Sequence, residues 1–137
     1  MCYGWIDAQK RAESESAWLQ RFVRRRPRSI WSKINREKAL ALIAAGRMKA
    51  AGMAEVTRAR EDGRWDVAYD SPKTATVPTD FQKALDGSRR AKAFFKTLSA
   101  ANRYAILWRL QTAKKPETRA RHIEKFIQML ENGETLH

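Results

Sequence analysis

Ser88-Arg89-Arg90-Ala91-Lys92-Ala93-Phe94-Phe95-Lys96-Thr97-Leu98-Ser99 is the stretch that decides the fold class. Ala91, Phe94, Phe95 and Leu98 fall at i, i+3, i+4 and i+7, the spacing that draws one apolar stripe along a helix. Ser88 stands where an N-cap hydroxyl is needed, and Ser99 stands where the next helix would need one. That next segment carries Tyr104, Ala105, Ile106, Leu107, Trp108 and Leu110. It leaves little polar face, which predicts the central, most buried helix.

Working outward, Thr79 with Gln82 three residues on has the form of a capping box, predicting a helix that ends near Asp86-Gly87. Downstream, Pro116 and Glu117 suit the first turn of a helix, where a fixed φ and a negative charge are both favourable. Its stripe is Ile123, Phe126, Ile127 and Leu130, and Gly133 ends it. Four short helices whose stripes can face one centre predict a compact bundle.

Upstream, Asn35 can cap a helix running to Ala45 with Gly46 as its left-handed terminator, and Ala39, Leu42 and Ile43 form its stripe. A shorter helix is predicted from Met53 to Asp62, ending at Gly63. Trp65 and Tyr69 fall in an irregular stretch, and Ser71-Pro72 marks a boundary between subregions near residue 70. Trp5 to Ala8 and Ala17 to Val23 are rich in aromatic and β-branched residues and predict strands, joined by the polar stretch Gln9 to Ser16. On the second strand Trp18, Gln20 and Phe22 share one face, while Leu19, Arg21 and Val23 share the other. Both faces carry bulk, so this strand predicts neighbours on two sides. The fold class is therefore α+β and mostly helical: an N-terminal β-hairpin or strand pair, short helices, then a C-terminal helical bundle.

The chain of 137 residues is of single-domain size, with 43% hydrophobic and 31% charged residues, as a folded domain requires. Cys2 is the only cysteine, which excludes a disulfide framework and a cysteine-based metal site within one chain. The longest uninterrupted apolar run, Leu40 to Ala45, is far short of a membrane span, and the N-terminus does not read as a secretory signal. These absences predict a cytoplasmic protein. His122 and His137 are the only histidines. His122 precedes the stripe of the last helix and reads as a surface residue. No metalloprotease, phosphate-loop, nucleophile-elbow or dinucleotide motif occurs, so the expectation is a non-enzymatic protein with no cofactor and no metal.

Charge is the strongest signal. Lys and Arg number 28 against 15 Asp and Glu, a net charge of +13. The local peak is Arg24-Arg25-Arg26-Pro27-Arg28. Such a balance favours a polyanionic partner, whether nucleic acid, anionic lipid or an acidic protein face. The candidate contact residues are Arg21, Arg24, Arg25, Arg26, Arg28, Trp31 and Lys33. Trp18, Phe22 and Trp31 interleave with these cations, so aromatic planes could stack bases while guanidinium groups hold phosphates. The competing reading puts Trp18 and Phe22 in a core and leaves the arginines as a solvated connector. Two further readings carry less. The connector from Gly46 to Gly52 is too long for a helix-turn-helix. Arg89, Arg90, Lys92 and Lys96 around Phe94-Phe95 could lie on an anionic membrane, but a stripe at helical spacing reads first as a core face.

With those residues named, the chain resembles the YdeI/OmpD-associated family, also called bacteriocin-protection or OmdA-like. The resemblance rests on Cys2-Tyr3-Gly4-Trp5-Ile6-Asp7, Arg25-Arg26-Pro27-Arg28-Ser29, Trp31-Ser32-Lys33-Ile34-Asn35-Arg36 and Ala113-Lys114-Lys115-Pro116-Glu117-Thr118-Arg119. It implies that residues 1–70 are the remnant of an α+β domain and that 71–137 form a four-helix OmdA-like region. Relatives carry a further segment before the Cys2-Tyr3-Gly4-Trp5 motif, which implies a truncated member or a start lying upstream. The family implies an accessory role in surviving bacteriocins or cationic antimicrobial peptides, with no set of catalytic residues. An N-terminal strand lacking its neighbour could pair with a second copy or another protein.

Overall fold

The computed structural model describes residues 1–137 and contains one two-stranded antiparallel sheet and six helices. The fold class is α+β, mostly helical, with the hairpin first and the helices after it. The chain divides into two compact units, Met1–Ala68 and Tyr69–His137, each with its own core.

The first unit opens with a turn, Gly4 N–H to Met1 carbonyl at 3.0 Å, in which Gly4 has φ +75°. Strand β1 (Trp5–Ala12) then pairs with β2 (Trp18–Arg24). Here β1 is longer than its sequence suggests, because Lys10, Arg11 and Ala12 continue the ladder instead of looping out. The reversal is short, closed by Glu13 and Ser14 N–H groups on the Ala17 carbonyl. A bulge between Asp7 and Lys10 resets the register. It restores the alternation, so residues on either side of it stay on their proper faces.

Helix α1 (Lys33–Ala44) is capped by Ser32, whose Oγ accepts from Asn35 N–H at 3.2 Å. Asn35 is thus the third residue of the helix and not its cap. Gly46 takes φ +65° after the helix end, as expected of a terminator. Helix α2 (Ala50–Glu61) starts earlier than its stripe suggests because Gly52 is where the N-terminal turn is seated. The core of this unit is Trp31, Ala39, Val56, Ala59, Trp65 and Ala68. Trp31 and Trp65 meet edge to face with ring centroids 4.9 Å apart, and burying each large ring contributes about 2–3 kcal/mol.

The second unit is built from α3 (Thr79–Gly87), α4 (Arg89–Thr97), α5 (Ala100–Gln111) and α6 (Pro116–Glu131). Ser88 and Ser99 cap α4 and α5 through the N–H groups of Ala91 and Asn102. The capping box at Thr79 does not form: Thr79 is already helical, and Pro78 is the cap residue, which has no side-chain hydrogen bond to offer. A proline at that position supplies the extended entry that a box residue would otherwise provide. Phe81, Leu85, Ala91, Phe95, Leu98, Ile106, Leu107, Leu110, Phe126, Met129 and Leu130 form one buried cluster. The α4 stripe is therefore a core face. Helix α5 buries Ile106, Leu107 and Leu110 only, and Tyr104 and Trp108 are half-buried. The helix that packs against all three others is α6, contrary to the expectation for α5. At its far end Gly133 has φ +73°.

Candidate binding surface

The β1–β2 ribbon positions the most unusual surface of the first unit. Trp5 lies opposite Arg24, Asp7 opposite Phe22, Lys10 opposite Gln20, and Ala12 opposite Trp18. Directly opposed residues project to the same side of an antiparallel pair. Trp5, Trp18 and Phe22 therefore share one face with Lys10, Arg24 and Asp7. All three rings are exposed, Trp5 by 43%, Trp18 by 54% and Phe22 by 57%. Lys10 Nζ sits 4.0 Å from the centre of the Trp18 ring, a cation–π contact made by a long flexible side chain. The opposite face holds Ile6 and Val23, both half-buried, with Leu19, Arg11 and Arg21. The strand is thus two-sided in bulk and one-sided in burial. The apolar opening Cys2 to Ile6 is likewise no core segment, since Tyr3 and Trp5 are exposed.

This arrangement corrects the reading in which Trp18 and Phe22 fill a core. The seven candidate residues divide. Arg24, Arg26 and Arg28 are exposed at and after the end of β2, and Arg21 is exposed on the other ribbon face. Lys33 is the half-buried first residue of α1. Trp31 is only 2% exposed and Arg25 only 6%, so both are built into the unit's core. The Arg25 guanidinium lies 3.7 Å above the Trp31 ring and donates to the Ile30 carbonyl at 3.2 Å and to Ser29 Oγ at 3.4 Å. A guanidinium can stack on an aromatic face while donating in its own plane, which an ammonium cannot do. Trp5 and Lys10 were missed as members of the surface. Period-two alternation could have found them only once the bulge at Asp7–Lys10 was known.

Electrostatics elsewhere are structural. Arg64, buried, donates from Nε to Asp62 and from Nη1 to the Ser29 carbonyl at 2.6 Å. In the second unit the Arg119 fork holds the Asp80 carboxyl below its ordinary value, and the hydrogen bond from Lys92, helped by Gln82, does the same for Asp86. Burial, with Tyr69 and Asp70 nearby, pushes the Tyr104 hydroxyl up while it donates to the Asp70 carbonyl at 2.8 Å. His122 is half-buried against the Phe126 ring rather than on the open surface. No group of three or more His, Cys, Asp or Glu side chains comes together as a metal set would, and no helix is long and apolar enough to cross a membrane.

Residues 74–133 match the family described as bacteriocin-protection, YdeI or OmpD-associated. The resemblance read from the motifs therefore holds for this region, which contains the Ala113–Arg119 stretch and all four helices of the second unit. Residues 1–55 match a family described as a domain of unknown function (DUF8412). The Cys2–Asp7, Arg25–Ser29 and Trp31–Arg36 motifs and the whole ribbon lie in that second match. No curated protein and no solved structure matches the chain.

Proposed function

We propose that this is a non-enzymatic accessory protein, in the manner of bacteriocin-protection and envelope-stress proteins, that works inside the cell by holding a polyanionic partner on the surface between Arg21 and Lys33. The family match at residues 74–133 supports the accessory role. The observation that carries the partner class is the exposure of Arg21, Arg24, Arg26 and Arg28 beside a solvent-facing aromatic ribbon, in a chain of net charge +13. Clustered guanidinium groups gain most from a ligand carrying several closely spaced negative charges. Arg25 and Trp31 serve the reading indirectly, by holding the residues after β2 against the core.

Inorganic polyphosphate, which has charge and no bases, tests this reading by calorimetric titration over a salt series. Binding in the micromolar range at low salt, weakening linearly in log affinity against log salt, is the expected result. The variant with Arg21, Arg24, Arg26 and Arg28 all replaced by Ser should lose it. Equal binding by that variant would overturn the assignment of the surface. A second reading, a small basic nucleic-acid-binding module, is favoured by one observation: Trp18 and Phe22 face solvent on the same ribbon face as Arg24 instead of filling a core.

A further inference from the structure

We infer that the Trp5–Trp18–Phe22 face of the ribbon is a stacking platform for the bases of single-stranded nucleic acid, with Lys10 and Arg24 on its phosphates. The inference rests on the polyanion reading and adds to it a ligand class and a set of residues. Of the chain's exposed large hydrophobic side chains, three aromatic ones project from this single face. A soluble two-stranded ribbon gains nothing from aromatic rings held in water, whereas every base has a π-face that such rings can cover. Trp18 and Phe22 are four positions apart on β2, which sets their Cα atoms about 13 Å apart at the rise of a strand. That spacing lets each ring take a separate base of an extended strand, and it denies both rings to a stacked duplex.

Charge decides among occupants. Arg24 stands opposite Trp5, and Lys10 lies over the Trp18 ring, from which a base can displace it toward a phosphate. Asp7 is the one carboxylate on this face, and Glu13 lies beyond it in the turn, 3.6 Å from Arg11. A second copy of the chain would bring up a face of the same net positive charge, Lys10 and Arg24 against the single carboxylate of Asp7, and like net charge opposes association. An acidic protein surface would satisfy the cations and leave the rings without planar partners. Single-stranded nucleic acid satisfies both.

The test compares a single-stranded oligonucleotide, the same sequence as a duplex, and polyphosphate, read by tryptophan fluorescence and calorimetry at low salt. The single strand should bind more tightly than the duplex and quench the fluorescence. Replacing both rings by leucine (Trp18→Leu with Phe22→Leu) keeps apolar bulk on the strand and removes the π-faces. That pair should weaken the oligonucleotide by at least about ten-fold and leave polyphosphate unchanged, while Trp18→Tyr with Phe22→Tyr retains both. Unchanged oligonucleotide binding by the leucine pair, an equal loss of both ligands, or a preference for duplex would each overturn the platform and leave the polyanion reading standing. A concentration-dependent dimer abolished by the leucine pair, without oligonucleotide binding, would assign the face to a second copy instead. Failure of the wild type to bind either polyanion would overturn the platform and the polyanion reading together.

Discussion

Arg119 grips Asp80 with a two-point fork, Nε to Oδ2 at 2.6 Å and Nη2 to Oδ1 at 2.8 Å, while its Nη1 donates to the Leu110 carbonyl. One side chain on α6 thereby ties the first turn of α3 to the end of α5. The carboxylate also accepts from Phe81 N–H at 2.9 Å, so it serves the unpaired donors at the start of α3 that Thr79 does not cap.

Because the fork lowers the Asp80 pKa, its contribution to stability is present above the ordinary value of 3.8 and is lost as pH falls through the lower folded value. Asp80→Asn should cost about 1 kcal/mol at pH 7, the pair being partly exposed. The gap in melting temperature between the variant and the wild type should close in acid, below pH 3.8. Melts from pH 2.5 to 7 would check this; a gap independent of pH would mean the fork is not ionic.

Arg25 and its neighbours should part company on substitution. Arg25→Ser removes the group stacked on Trp31 and leaves the Ile30 carbonyl without its donor, a loss of about 1–3 kcal/mol. Replacing the exposed Arg24, Arg26 and Arg28 together by Ser should leave stability within about 1 kcal/mol of the wild type. Denaturant unfolding of the two variants distinguishes the roles, and the opposite order would place Arg25 on the surface.

Gly52 is fixed by the N-terminal turn. A Cβ there would stand 2.2 Å from the Cys2 carbonyl oxygen and 2.5 Å from Met48 Sδ. Gly52→Ala should cost about 1–3 kcal/mol and loosen residues 1–4 from α2. Gly87, where a Cβ would meet nothing within 4 Å, is the control; Gly87→Ala should be neutral or stabilise by up to about 1 kcal/mol. Hydrogen exchange at Lys49 N–H, which donates to Cys2 carbonyl oxygen, reports the loosening directly.

Ser88 and Thr79 look alike as helix starters in sequence and should differ sharply in stability. Ser88 Oγ accepts from Ala91 N–H and donates to Glu131 Oε1 at 2.6 Å, so Ser88→Ala should cost about 1–2 kcal/mol. Thr79, already inside the helix, should tolerate Ala within about 0.5 kcal/mol. Thermal melts suffice to check both, and a large loss at Thr79 would restore the capping box.

The helices were legible in the sequence because their determinants are local. Ser88 and Ser99 cap helices through N–H groups three residues on, and Phe95, Phe126 and Leu130 lie on stripes whose three- and four-residue spacing is written in the local sequence, although other helices bury them. The net charge and the hairpin were legible for the same reason. Other features depend on distant partners and could be settled only by the tertiary structure. The sequence points to Asn35 as a cap, whereas the structure starts the helix at Lys33 with Ser32 as its cap. Five of the six residues from Arg24 to Ser29 are basic or proline, and only packing against Trp31 separates the buried Arg25 from the exposed Arg24, Arg26 and Arg28. Trp18 and Phe22 alternate with Leu19 and Val23, so both strand faces look equally fit for burial in sequence. The fold buries Ile6 and Val23 in part and turns the aromatic face to water. Alternation specifies that a strand has two faces, and only the elements packed against it determine which of them meets solvent.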